Sequence, residues 1–311
     1  MKEEITYKSK DGITNIRAVI WVPKTEIKAI VQISHGMVEH IDRYQVFAAS
    51  LNNKGILVCG NDHLGHGHSV IKASNLGYFA DKDSENILVD DLHTLTTTIK
   101  ERYPNIPYFL LGHSMGSFIA RNYLTSYSEE LTGAIIVGSG FKSSIIMDVA
   151  LALTWLTQLY HHGWYYRSPL LFKLTTGSYH KRFEEGKDNP LCWLTSDVNI
   201  INEYRANPLT NFRFTCNGYK TLFTLIKRAC QKKNATTINK NLPILVLAGK
   251  DDPVGNYGKD IYKIERLYKS VGIKSVSIKL YNGMRHEIIN ERNNVLPITD
   301  IINFMEKERI K

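Results

Sequence analysis

The 311 residues are 43% hydrophobic and 22% charged, with a formal net charge of +9. That is the composition of a globular chain with a sizeable core, and no internal repeat or low-complexity tract interrupts it. The Lys and Arg residues are dispersed without a long basic block, which argues against a nucleic-acid partner, and no run of about 18 apolar residues is present to span a membrane.

In chain order, Ile5–Tyr7 and Ile16–Val22 predict two strands joined by a turn at Asp11-Gly12. Ala29–Ser34 predicts a third, ending at His35-Gly36-Met37. A helix is expected over about Tyr44–Asn52, then a strand at Ile56–Cys59. Ile87–Lys100 sets Ile87, Leu88, Leu92, Leu95 and Ile99 at helical spacing. Pro107–Leu111 reads as a short buried strand, Ser117–Leu124 as a helix and Leu131–Val137 as a strand. Strands and helices alternate, so the fold class is α/β, with a mostly parallel sheet covered on both faces. Right-handed crossovers then bring the loops after the strands to one edge.

The pattern breaks after Gly138-Ser139-Gly140. The next stretch is aromatic-rich and helical. It has helices expected at Ile145–Tyr160 and about Tyr219–Ala229, a loop at Gly186–Pro190 and a polar connection at 231–237. Strand and helix resume with Pro243–Gly249, Lys259–Lys269, Ser275–Tyr281 and Ile298–Lys307. The expected organisation is a core of residues 1–141 and 239–311 with a helical cap inserted at 142–238. An insertion leaving from the end of a strand on that edge lies over the loops there.

Between the strand at 107–111 and its helix stands Gly112-His113-Ser114-Met115-Gly116, a G-x-S-x-G motif. In a strand–turn–helix context this is a nucleophile elbow, with the serine hydroxyl exposed on a sharp turn. An activated serine needs a base, and the base needs an orienting group. In the hydrolase version of this sheet the order along the chain is Ser, Asp or Glu, then His. Of the 11 histidines only His286 lies beyond residue 180, and it follows the strand at 275–281. The acid should follow the preceding strand, where Asp251 and Asp252 compete. Pro253 drives Asp252 toward an extended backbone, which favours Asp252. For the oxyanion, one backbone N–H comes from the residue after the nucleophile, Met115, and a second from Met37 in the loop after the third strand. His63, His66 and His68 crowd one glycine-rich loop with Asp62, but no convincing carboxylate or cysteine set completes a metal site.

These residues resemble a known group. Residues 34–44, Ser-His-Gly-Met-Val-Glu-His-Ile-Asp-Arg-Tyr, are similar to the HGxxEHxxRY stretch of monoacylglycerol lipases and related lysophospholipases. Residues 61–69 resemble their DHxGHGxS loop, and residues 112–116 their GHSMG elbow. Asn207-Pro208-Leu209 resembles their DPL element with Asn for Asp, and residues 249–252 their GxxD acid, which supports Asp252. The cap from about 142 to 196 has no comparable match. The resemblance implies a serine hydrolase of the α/β-hydrolase fold, needing no metal or organic cofactor and acting on monoacylglycerol, lysophospholipid or similar esters. It also makes Glu39 and Arg43 candidates for substrate binding, with an internal ion pair as the other reading.

The expected function is therefore ester hydrolysis through Ser114, His286 and Asp252. A thioesterase or a proline-releasing peptidase would use the same triad, the peptidase with acidic cap residues such as Glu184 and Glu185. A non-catalytic binding protein on a retained fold is the third reading, and the intact triad argues against it. The helix at 145–160 has one charge, Asp148, and either packs on the core or meets a lipid surface. Cys59, Cys192, Cys216 and Cys230 form no ligand spacing or disulfide framework, and the first residues hold no apolar signal region, so a cytoplasmic location is expected. The partner expected is a small lipid or ester, and the oligomeric state is left open.

Overall fold

The computed structural model describes residues 1–310. Eight strands form one sheet: β1 (Lys2–Lys8), β2 (Asn15–Trp21), β3 (Ala29–Ser34), β4 (Ile56–Asn61), β5 (Tyr108–His113), β6 (Gly133–Val137), β7 (Ile244–Gly249) and β8 (Val276–Tyr281). Their order is β1-β2-β4-β3-β5-β6-β7-β8. β1 pairs antiparallel with β2, and β2 with β4; all later pairs are parallel. Every residue of β3 to β7 is buried, because helices cover both faces. β1 and β8, at the edges, alternate between more and less buried residues.

On one face lie α1 (Gln45–Asn52) and, at the end of the chain, α10 (Val295–Glu308), packed around Phe47, Leu51, Ile301 and Met305. On the other lie α2 (Ser84–Arg102) and α3 (Met115–Tyr127), whose Leu92, Leu95, Ile119 and Tyr123 share one core. Between β6 and β7 come α4 (Ser144–Tyr160), α5 (Pro169–Thr175), α6 (Val198–Ala206), α7 (Cys216–Ala229) and the one-turn α8 (Lys232–Ala235). α9 (Lys259–Ser270) links β7 to β8.

α7 buries nine of its 14 residues and touches α2, α3 and α4. α4 buries only Met147 and Thr154, so it forms the outer layer. α5 and α6 carry no apolar periodicity that marks them in the sequence. Both are short and begin on side-chain caps, Ser168 and Asp197, rather than on a long apolar stripe. The polar connection at 231–237 holds α8, a single turn without an apolar face.

Candidate active site

β5 ends at His113 and α3 begins at Met115, so Ser114 alone makes the turn between them. Its φ of 53° and ψ of −118° lie outside the regions L-residues favour. The strain is held by close packing. Ser114 N donates to the Val137 carbonyl at 3.0 Å, and Ser117 N and Oγ donate to the Ser114 carbonyl at 2.9 and 2.6 Å. A Cβ on Gly116 would overlap the Ser34 carbonyl, and one on Gly112 would overlap the Gly116 carbonyl. Both positions therefore require glycine for close approach. Ser114 itself remains partly exposed.

His286 follows β8 and is 2% exposed. Its Nδ1 lies 3.0 Å from Asp252 Oδ2, while its Nε2 is buried without a hydrogen-bond partner among the described residues. Asp252 is fully buried, and its Oδ1 accepts from Val254 N at 2.8 Å. Asp251 is exposed and points its amide, not its carboxylate, inward, to the Met284 carbonyl. The ring of His286 is walled by Trp193, with centroids 5.2 Å apart, and by His113 at 4.9 Å. A Cβ on Gly138 would sit 3.1 Å from its Cε1, so β6 also ends against the ring.

The loop after β3 passes over the serine: a Cβ on Gly36 would stand 3.1 Å from Ser114 Cβ. Met37 N has no acceptor among the described residues, and Met115 N, in the first helical turn, has none within the helix. His35 anchors this loop, with Nδ1 2.8 Å from the Gly36 carbonyl and Nε2 accepting from His63 N at 3.0 Å. Burial lowers the pKa of His35 against the pull of Glu39 and Asp62, and lowers that of His66 to about 3. His35, His63 and His66 are thus neutral rings packed on one another and, through His66, on Phe79, Phe212 and Phe214. Among the described residues no three His, Cys, Asp or Glu side chains gather as a metal set.

Glu39 and Arg43, the candidates for substrate binding, form an ion pair in the structure. Glu39 is 2% exposed. Its carboxylate accepts from Gly36 N at 2.5 Å, Tyr44 OH at 3.1 Å and Arg43 Nη1 at 2.7 Å, and lies 3.2 Å from His113 Nδ1. The Arg43 fork grips Glu287 through two bonds of 2.9 and 2.7 Å and lies over the Tyr204 ring of α6. Both Glu39 oxygens and both terminal nitrogens of Arg43 are thus engaged within the protein. Burial opposes the charge on Glu39, but His113 and Arg43 hold its carboxyl well below the usual range. Replacing Arg43 with Met should strand two buried carboxylates and cost roughly 3–5 kcal/mol. Urea denaturation would read this, and Arg43→Met with Glu287→Gln should recover part of it.

Glu287 is the member of this group that residue patterns missed. It adjoins His286, but only the fold brings it to Arg43, 244 positions away. The Asn of Asn207-Pro208-Leu209 has a visible use: Oδ1 accepts from Leu209 N at 2.9 Å, and Nδ2 lies 3.0 Å from His40 Nε2. Of the acidic cap residues Glu184 and Glu185, Glu185 is paired with Arg285 at 2.6 Å.

A family profile described as serine aminopeptidase, S33 (Hydrolase_4) matches residues 25–293. A monoacylglycerol lipase of Mycolicibacterium smegmatis is 25% identical over 297 residues, which cover 94% of each chain. A monoglyceride lipase homolog of Monkeypox virus is 27% identical over 282 residues, 88% of this chain and 87% of its own. Among solved structures, a thermostable carboxyl esterase of Bacillus coagulans in complex with glycerol matches with a TM-score of 0.91 at 30% identity, over 99% of both chains. The chain belongs to the serine aminopeptidase S33 family of α/β-hydrolases, in its monoacylglycerol lipase-like, ester-hydrolysing part.

Proposed function

We propose that this protein hydrolyses monoacyl lipid esters, of monoacylglycerol or lysophospholipid type, with Ser114 as nucleophile, His286 as base and Asp252 as its orienting acid. The observation that carries the reading is the pair formed by His286 and Asp252: Nδ1 is engaged at 3.0 Å, and Nε2 is left buried and without a partner. Ser114 attacks the ester carbonyl while His286 Nε2 takes its proton. The amides of Met37 and Met115 stabilise the tetrahedral oxyanion. The alcohol leaves with the proton from His286, and water hydrolyses the acyl-enzyme by the same route. Mass-spectrometric profiling of a lipid extract, with Ser114→Ala as control, tests the substrate class. Loss of monoacyl lipids with the wild type alone supports it, and turnover of aminoacyl amides in preference to esters overturns it.

Residues 142–238 are read as a cap over this site. Trp193 against His286, and the His286 and Glu287 amides donating to the Trp193 and Leu194 carbonyls, support that placement. No helix among the described residues is long and apolar enough to cross a membrane. Contact with a lipid surface is supported by α4, where Ile145, Val149, Trp155, Leu156 and Tyr160 are all more than half exposed. Charge favours an anionic surface. Residues 142–238 hold thirteen Lys and Arg against six Asp and Glu, so they carry +7 of the chain's +9. Co-sedimentation with phosphatidylglycerol vesicles is expected to exceed that with neutral vesicles and to fall with salt. Ile145→Glu with Val149→Glu should weaken it without changing turnover of a soluble short ester. A cytoplasmic location is proposed as well, supported by four cysteines that are all free.

A further inference from the structure

His113 precedes the nucleophile, yet the proposed triad makes no use of its ring. The ring is 5% exposed and lies between two oxygens. Nδ1 is 3.2 Å from Glu39 Oε1, and Nε2 is 3.4 Å from the His286 backbone carbonyl. A neutral imidazole has one N–H and one lone pair. In either neutral tautomer the lone pair would face an acceptor. Only the imidazolium offers a donor to both. Glu39 does not supply the missing proton, because it already accepts from Gly36 N, Tyr44 OH and the Arg43 guanidinium.

The charge count agrees. Glu39 and Glu287 are 2% and 4% exposed, and the Arg43 guanidinium bridges them. With His113 neutral, this buried group holds two negative charges against one positive. An uncompensated buried charge is costly, and a cation at His113 removes it. The charged and titratable groups facing His113 are Glu39, Glu287, Arg43 and the His286 ring. Burial opposes protonation, but the hydrogen bond and charge of Glu39 outweigh it, and the pKa of His113 is raised.

We propose that His113 is held as an imidazolium and serves as a positioning residue, tying the carboxylate beneath the oxyanion loop to the main chain of the catalytic base. The proposal rests on the reading of Ser114 and His286 given above. Asp252 sets the ring of His286, and His113 sets its backbone. The sign of the pH dependence follows. A group whose proton affinity is raised on folding contributes below its ordinary value and ceases to contribute as pH rises through the folded one. Activity therefore declines on the alkaline side as His113 loses its proton.

Nitrogen NMR of histidine-labelled full-length protein tests this directly. At the ordinary imidazole value of about 6.5, the His113 ring should be predominantly protonated on both nitrogens and titrate only at higher pH. Its signal is the one missing from His113→Asn. Should that variant not fold, contacts of the ring to the Gly36 α-protons identify it, since Gly36 packs against Nδ1. Glu39→Gln should render the ring neutral at the same pH. His113→Asn keeps a donor toward Glu39 but no charge. It should lower kcat about tenfold, as loss of a charged hydrogen bond does, and abolish the alkaline decline while KM for a soluble ester stays unchanged. A neutral ring at that pH in the wild type, or an unaltered pH profile in His113→Asn, overturns the proposal. Labelling of the wild type by a fluorophosphonate separates the two readings. If Ser114 labels while His113 is neutral, only the His113 proposal fails; if Ser114 does not label, the hydrolase reading itself fails.

Discussion

Replacing Ser114 with alanine is expected to leave the fold intact and to lower kcat for any ester substrate by at least roughly a thousandfold. Alanine fits the space, and the hydrogen bonds that hold the elbow come from backbone groups at 114 and from Ser117, not from the Ser114 hydroxyl. The strained φ of 53° persists in the variant, so its stability should stay near that of the wild type. What disappears is the atom that forms the acyl-enzyme. Oxyanion donors and bound geometry would still leave a residual rate above water. Burst kinetics with a p-nitrophenyl ester, alongside thermal denaturation, check both halves. Turnover near the wild-type rate would remove Ser114 from the mechanism.

The second large effect separates two neighbouring aspartates. Asp252→Asn should lower kcat by roughly a thousand- to ten-thousandfold, whereas Asp251→Asn should stay within about twofold. At 252 the carboxylate accepts from Val254 N on one oxygen and meets His286 Nδ1 on the other. An amide turned to keep the Val254 bond presents its NH2 to Nδ1. That favours the His286 tautomer with the proton on Nε2, and a protonated Nε2 cannot take the proton of Ser114. Asp251 is exposed and has no side-chain contact with His286, so its charge is screened by water. Steady-state kinetics of the two variants on one soluble ester decide the matter. Equal losses in both would overturn the assignment of the acid.

Much of this was legible in one dimension because strand–helix alternation is a local property. Each buried strand is a short apolar run, and each long helix carries an apolar stripe, so the parallel sheet could be read directly. The pairing of His286 with Asp252 was legible for two reasons. Chain order restricts the base to a histidine late in the sequence, and Pro253 biases the backbone of its neighbour. α5 and α6 were not legible, because helices this short depend on caps and on the surface they land on.

The amino-acid sequence by itself determined the α/β architecture, the elbow at Ser114 and the candidates for base and acid. Those features follow from hydrophobic period, glycine spacing and proline geometry, which act over a few residues. Only the tertiary structure decided what Glu39, Arg43, Glu287 and His113 do. Arg43 and Glu287 stand 244 positions apart, and their charges meet where the loop after β8 reaches back across the sheet to the loop after β3. The Glu39 carboxylate lies against the loop beside Ser114, and its hydrogen-bond partners there come from three separate stretches of the chain. Charge compensation in a dry interior is a property of the assembled neighbourhood, and no local pattern of residues encodes it.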